Sequence, residues 1–258
     1  MSENLSSGSQ PTVADLDRPL YTPIKRRSFF MYAGATAGAT ALVLAGCGKD
    51  DNNTPGMVNV GSGDVGVLNY AYALEQLEAD FYTQVRTGSY YMGLASGSAE
   101  KLILDDLYYH EVIHRDFLRA ALVNASATPI KALSTVYPAN TFSSRASVLG
   151  TAKAFEDLGV AAYNGAGQYI TTAQYLFIAG KIVSVEARHA AIIRDLLTEN
   201  SFVGNDIITL TSAGTSSLAT NNAPANTSLE RSMTPTEVVA IANTFLQDGS
   251  KLDVSSIR

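Results

Sequence analysis

Two of the three histidines in this chain follow a glutamate at the same short interval. The two pairs are Glu111–His114 and Glu186–His189, whereas the third histidine, His110, has no glutamate at that offset. An interval of three residues on an α-helix places both side chains on one face, about one turn apart. Each pair could therefore offer one metal ion a carboxylate oxygen and an imidazole nitrogen. We expect His110 on the surface or beside the ligands.

A centre of two metal ions in a helical bundle also needs one glutamate from each of two further helices. Glu156 is the only glutamate between residues 145 and 168, and Glu75 and Glu78 both lie in an apolar segment nearer the N-terminus. We favour Glu78, because Leu74 and Phe81 lie on the same helical face and make that face apolar. Glu75 remains the alternative ligand. The expected metal ligands are therefore Glu78, Glu111, His114, Glu156, Glu186 and His189.

Four segments carry apolar residues at every third or fourth position, which predicts four helices. They span about residues 65–85, 99–123, 145–168 and 174–197. We expect Asp64 to be the N-cap of the first helix, and Ser143 or Ser144 to be the N-cap of the third.

The connections between these segments predict how the helices are arranged. A glycine-rich break at 88–98 and a turn at 169–173 make two antiparallel hairpins, and a long crossover at 124–141 joins the hairpins. Thr234 to Glu237 form a capping-box pattern with proline at the first helical position, which predicts a short fifth helix over about 235–247. The predicted fold is all-α, a four-helix bundle with a short C-terminal helix.

The hairpin geometry places the expected ligands at one height. Residues of an antiparallel hairpin lie level when they are equally far from its turn. The midpoint between Glu78 and the first Glu–His pair is about residue 95, and the midpoint between Glu156 and the second pair is about residue 172. Both midpoints fall inside the predicted connections.

Four carboxylates and two imidazoles at one level of a core would repel one another and take up protons unless cations neutralised them. Two ions of charge +2 would balance four carboxylates. Tyr82 and Tyr163 lie on the same faces as Glu78 and Glu156. We expect these tyrosines to hydrogen-bond the ligand carboxylates or to take part in redox chemistry.

The N-terminal residues have the pattern of an export signal. Arg26 and Arg27 precede an apolar run at 29–46 that is rich in small residues and too short to span a bilayer well. The arginine pair resembles a twin-arginine signal, which serves proteins exported in the folded state. Leu44-Ala45-Gly46-Cys47 resembles a bacterial lipobox, in which Cys47 would be lipidated. The alternative is an uncleaved N-terminal membrane anchor.

These patterns divide the chain into four parts. We expect an export signal at 1–47, a flexible linker at 48–63, the bundle at 64–198 and a C-terminal extension at 199–258. The mature protein is expected to be periplasmic or anchored to the outer membrane through lipid.

Composition excludes several classes of protein. The net charge is −6 and the isoelectric point is near 5.0, which argues against nucleic acid as a partner. Cys47 is the only cysteine, so neither an intramolecular disulfide nor a cysteine-rich metal site can form.

The Glu–His pairs, together with the runs around Glu78 and Glu156, resemble the exported ferritin-like domain family of bacteria. They also resemble the wider superfamily of ferritin, rubrerythrin and manganese catalase. The resemblance covers about residues 64–198 and implies a four-helix bundle with two metal ions, iron or manganese. It implies redox chemistry with dioxygen or a peroxide. The alternatives are a metal-sequestering protein without turnover and a structural or stress-related protein. A homodimer is compatible with the sequence.

Overall fold

The computed structural model describes residues 54–204, 206–207 and 229–258. Its long helices are α1 (Gly63–Thr87), α3 (Ala99–Asn124), α4 (Arg145–Ala166) and α5 (Ala173–Leu197), with short helices α2 (Ser89–Met92) and α6 (Pro235–Ala242). The predicted all-α four-helix bundle is confirmed. The expected export signal and Cys47 lie outside the described residues.

The four long helices form the two expected hairpins. Helix α1 packs along α3, and α4 packs along α5. The glycine-rich break contains the single turn of α2, and a 3₁₀ turn (Gly167–Tyr169) follows α4. Ser144 caps α4 through a reciprocal pair of hydrogen bonds with Ser147. Of the two expected N-cap residues, Ser143 and Ser144, it is therefore Ser144 that caps the helix.

Asp64 has a different role from the expected one. The N-cap of α1 is Ser62, and Asp64 lies in the first turn of the helix. Its carboxylate accepts hydrogen bonds from the backbone N–H groups of Thr171 and Thr172, at 2.7 and 2.9 Å. The side chain therefore fastens the α4–α5 turn to the start of α1, where the helix dipole also favours a negative charge.

Helix α1 is the central element, since its residues between Gly66 and Ala79 are all buried. Polar side chains on α1 hold the crossover against it. Asn69 accepts a hydrogen bond from the backbone of Ile130, and Gln76 accepts one from the backbone of Leu133. The crossover thus satisfies part of its backbone through helix side chains, and a short antiparallel bridge between Thr135 and Leu246 pairs another part.

The two ends of the described chain meet beside the bundle. Strands β1 (Val58–Asn59) and β2 (Leu252–Asp253) form a short parallel pair. The predicted flexible linker is therefore held in place over the part that contains β1. The capping box of Thr234 and Glu237 opens α6, which ends at Ala242, earlier than the sequence predicted, in a 3₁₀ turn (Asn243–Phe245).

A buried arginine joins α5 to α4. Arg194 donates hydrogen bonds from Nε and Nη2 to the two carboxylate oxygens of Asp157, both at 2.7 Å. It also contacts both oxygens of Asp206 at 2.9 Å. Lys153 lies 3.4 Å from Asp157 at the partly exposed edge of this group. We refer to Arg194, Asp157, Asp206 and Lys153 as the arginine cluster.

The described helices are also informative about membranes. None of the helices within residues 54–204 and 229–258 has both the length and the apolar composition needed to cross a bilayer.

Candidate metal centre

Four carboxylates and two imidazoles from all four long helices meet at one level of the bundle. Glu75, Glu111, Glu156 and Glu186 are 0% exposed, and His189 is 4% exposed. A buried polar group without a partner costs about 1–3 kcal/mol, and a buried charged group without a partner costs more. We call the residues Glu75, Glu111, His114, Glu156, Glu186 and His189 the carboxylate centre.

The first half of the centre is built around His114. Its Nδ1 atom lies 2.7 Å from Glu186 Oε1, 3.5 Å from Glu111 Oε2 and 3.5 Å from Glu75 Oε2. One ligand atom from each of these four residues lies within 4.8 Å of the others, which is a group able to hold a metal ion. His114 is the most exposed member, at 13% of its side chain.

The second half is built in the same way around His189. Its Nδ1 atom lies 2.7 Å from Glu111 Oε1, 3.2 Å from Glu186 Oε2 and 3.4 Å from Glu156 Oε2. These four residues form a second group able to hold a metal ion. Glu111 and Glu186 belong to both groups and offer one oxygen to each half.

Two tyrosines hold the outer carboxylates from opposite directions. Tyr163 on α4 donates a hydrogen bond of 2.5 Å to Oε1 of Glu75 on α1. Tyr82 on α1 donates one to Oε1 of Glu156 on α4. Each tyrosine fixes one oxygen of its carboxylate and leaves Oε2 facing the centre. Hydrogen bonds of this kind orient the ligands of metal ions in proteins. The expected hydrogen bonding by both tyrosines is thus present.

The inward-facing atoms are poorly satisfied by protein groups alone. Although some of these contacts are as short as 2.7 Å, buried atoms of the centre lack a hydrogen-bond partner among the described residues. These atoms are Glu75 Oε2, Glu111 Oε1 and Oε2, His114 Nδ1, Glu156 Oε2 and Glu186 Oε1. Carboxylate oxygens and imidazole nitrogens that converge on two points, most of them without a hydrogen bond to one another, form a set that could hold metal ions.

Electrostatics indicate how the centre behaves without cations. Burial and the nearby charge of Glu186 raise the pKa of Glu111 well above its usual value, and burial also raises the pKa of Glu156. Burial alone would lower the pKa of His114, but its carboxylate neighbours outweigh burial and raise that pKa to about 12. Neighbouring carboxylates likewise raise the pKa of His189. The imidazoles of His114 and His189 outweigh the effect of burial on Glu186 and lower its pKa to about 2. When metal ions are absent, protons on the imidazoles and on some of the carboxylates therefore offset the negative charge of the centre.

His110 lies at the solvent edge of the second half. Its Nδ1 atom is 2.8 Å from Nε2 of His189, and the two rings stack with centroids 5.1 Å apart. Since His189 presents Nδ1 to the carboxylates, His110 supplies the contact that orients its other nitrogen. The expected position beside the ligands is therefore the observed one.

Glu78 lies outside both groups, and the preference for Glu78 over Glu75 is not supported. Glu78 is buried, yet its carboxylate has no hydrogen bond or ion pair to another described residue. A side chain at Gly159 would lie 2.9 Å from Glu78 Oε1, so the carboxylate occupies space that this glycine leaves open. Burial and the charges of Glu111 and Glu75 raise the pKa of Glu78 well above its usual value.

The preference for Glu78 rested on an apolar face of α1, but α1 is buried on all sides. An apolar face then no longer identifies the side that faces the bundle axis. The residues Leu74 and Phe81, which framed Glu78, pack into the core, where Phe81 contacts Phe142 and Phe155.

An internal repeat was the signal that could have identified Glu75. Residues 67–82 and 148–163 share Val, Leu, Ala, Ala, Glu, Leu and Tyr at equivalent positions. In this alignment Glu75 matches Glu156, and Tyr82 matches Tyr163, whereas Glu78 matches Gly159. If each hairpin supplies an equivalent glutamate, the counterpart of Glu156 is therefore Glu75.

Comparison with known proteins agrees with this geometry. Residues 63–199 match the model of a family described as "Ferritin-like domain". The matched region begins with α1, ends just after α5 and contains every residue of the carboxylate centre. No curated protein matches the chain.

Proposed function

We propose that this chain, which belongs to the ferritin-like domain family, holds a pair of iron or manganese ions and reacts with dioxygen or a peroxide. One observation carries the proposal. Glu111 and Glu186 each give one oxygen to the His114 half and the other to the His189 half. Carboxylates that two sites share are suited to a pair of cations rather than to one.

The chain's own residues would keep the centre in one geometry. Tyr82 and Tyr163 fix the outer carboxylates, and His110 orients His189. Burial of the four carboxylates excludes bulk water and strengthens the electrostatic contacts inside. When bound, a pair of iron or manganese ions supplies one-electron chemistry towards dioxygen or a peroxide.

The test is an assay of the purified full chain loaded with iron(II) or manganese(II). Consumption of dioxygen and of hydrogen peroxide would be measured for the wild type and for Glu111→Gln, which alters a shared carboxylate. We expect turnover in the wild type and at least a tenfold loss in the variant, about 1.4 kcal/mol. Stoichiometric metal without turnover would favour the sequestering alternative. Absence of bound metal would favour the structural one.

We also propose that the protein is exported through the twin-arginine route and anchored by lipid on Cys47. The support is sequence alone: Arg26 and Arg27 precede an apolar run that ends in the only cysteine of the chain. Cys47→Ser should release the protein from the membrane fraction or block processing of the signal. Unchanged processing and membrane association would contradict lipidation. Changing both arginines to lysine should stop export.

A further inference from the structure

An apolar pocket lies one helical turn from the carboxylate centre. It is at the end of the bundle where α1 begins and the α4–α5 turn closes the second hairpin. The volume open to the centre of a water-sized molecule is about 20 Å³, which leaves room for one small molecule. Its walls include Ala71, Leu74, Leu118, Tyr163, Ile178 and Ile182.

The register of the helices places this pocket against the His114 half. Ala71 lies four residues before Glu75, and Ile182 lies four residues before Glu186. Residues four apart on a helix are direct neighbours on one face. Tyr163 forms another wall of the pocket, and its hydroxyl group donates to Glu75. The pocket and the first half of the centre thus share a boundary.

The equivalent layer beside the His189 half consists of side chains of the main hydrophobic core. Leu107 lies four residues before Glu111, and Ile193 lies four residues after His189. Leu107, Ile193 and Ala152 are at most 2% exposed and belong to the main hydrophobic core, and none of them lines the pocket. The two halves have matching ligands but different neighbours.

The walls of the pocket select against hydrogen-bonding molecules. A buried water needs about two to four polar partners, but the walls offer only tyrosine hydroxyl groups. That of Tyr163 is already used by Glu75, and that of Tyr70 is a single buried group without a hydrogen-bond partner among the described residues. Hydrogen peroxide would also lose its hydrogen bonds there, at a cost of about 2–7 kcal/mol for each unpaired group. Dry apolar cavities instead bind uncharged apolar molecules such as xenon.

We propose that this pocket is a binding site for a small apolar gas molecule, and that it delivers dioxygen to the Glu75–His114 half. The delivery step rests on the proposed redox function, whereas binding in the pocket does not. The half-buried side chains of Tyr175 and Ile178 line its solvent side. A polar oxidant would instead approach past His114, whose side chain reaches the surface.

Xenon tests the binding site without any reaction. Crystals of the full chain under xenon pressure should show one xenon atom between Tyr163, Leu118 and Ile182. Ala71→Val adds two methyl groups at the wall and should reduce xenon occupancy at least fivefold. Xenon that is absent from the pocket, or that is unaffected by Ala71→Val, overturns the proposal.

A matched pair of milder substitutions tests the binding site even if Ala71→Val fails to fold. Ile182→Val removes one methyl group from the wall and should raise xenon occupancy. Ile193→Val makes the same change on the same helix outside the pocket and should leave occupancy unchanged. Equal behaviour of the two variants contradicts the assignment.

Rates of reaction then test delivery. With iron(II)-loaded protein, Ala71→Val should slow the reaction with dioxygen about tenfold and leave the reaction with hydrogen peroxide within about twofold. Equal slowing of both reactions, or of neither, overturns the delivery route. If wild-type protein binds xenon but reacts with neither oxidant, the proposed function fails while the binding site stands.

Discussion

Two groups of charged side chains contain buried members, and the groups differ in how their charges are matched. In the arginine cluster, Arg194 meets both oxygens of Asp157 and both oxygens of Asp206 with good hydrogen-bond geometry. In the carboxylate centre, four carboxylates face two imidazoles, and several inward atoms lack a hydrogen-bond partner among the described residues.

This difference separates a structural role from a ligand-binding role. A buried ion pair that is complete needs nothing further, although removing one partner is costly. A buried set of carboxylates without matching donors is a poor way to stabilise a fold, and cations are the partners that would complete it. The arginine cluster should therefore govern stability, and the carboxylate centre should govern metal binding.

The largest expected effect is on the arginine cluster. Arg194→Met would leave Asp157 as a buried charge with only Lys153 nearby, and we expect a loss of about 3–5 kcal/mol in the free energy of unfolding. Thermal unfolding of the metal-free protein should show a fall in Tm of about 10 °C. Metal content should stay unchanged.

Lys153→Met is the matched control for that variant. Lys153 is partly exposed and contacts the same aspartate, so its loss should cost at most about 1 kcal/mol. A loss of metal in Arg194→Met, measured under conditions where the variant is folded, would contradict the separation of the two roles.

The next effect distinguishes Glu75 from Glu78. Glu75→Gln weakens one oxygen donor of the His114 half and should lower metal affinity about 100-fold, or about 2.7 kcal/mol. Glu78→Gln changes a carboxylate of the same helix that lies outside both groups, and it should leave the number of bound ions unchanged. Titration of metal-free variants with iron(II) measures both. The reverse order of effects would restore the sequence-based preference for Glu78.

Stability as a function of pH gives a smaller effect with a definite sign. The raised pKa values of Glu111 and His114 mean that the folded, metal-free state holds more protons than the unfolded chain. This contribution to stability is complete below the unfolded pKa values and is lost as pH rises towards the folded ones. Between about pH 7 and 9, metal-free protein should lose up to about 1.4 kcal/mol per pH unit for each such proton.

The metal-loaded protein should show an almost flat profile over the same range, because its folded state holds none of these extra protons. Metal ions displace these protons, so binding tightens as pH rises. Urea unfolding of both forms at pH 7, 8 and 9 provides the comparison. Parallel slopes for the two forms would show that the centre does not exchange protons for cations.

Sequence patterns were sufficient for the helices and for most of the centre. Helical periodicity and glycine-rich breaks placed the four long helices, and the two Glu–His pairs were recognisable because their spacing matches one helical turn. The midpoint of each hairpin then placed Glu156 level with them. Helical spacing is a local property and hairpin position is a symmetric one, so both can be recognised in a single sequence.

The remaining features depend on packing between distant segments. Glu75 and Glu78 differ by less than a turn, so the height of the hairpin could not separate them, and only the internal repeat could. The pairing of Arg194 with Asp157 and Asp206 joins residues with no shared motif. The anchoring of the α4–α5 turn by Asp64 likewise requires knowledge of which helix end meets which turn.

The most direct test of the central claim is the metal content of the full chain and of two histidine variants. Protein purified from medium that contains iron and manganese would be subjected to elemental analysis beside His114→Ala and His189→Ala. We predict about two metal ions per wild-type chain and about one in each variant, because each histidine serves one half of a centre whose glutamates are shared. Folded wild-type protein without stoichiometric metal would contradict the claim and leave the carboxylate centre as a structural feature.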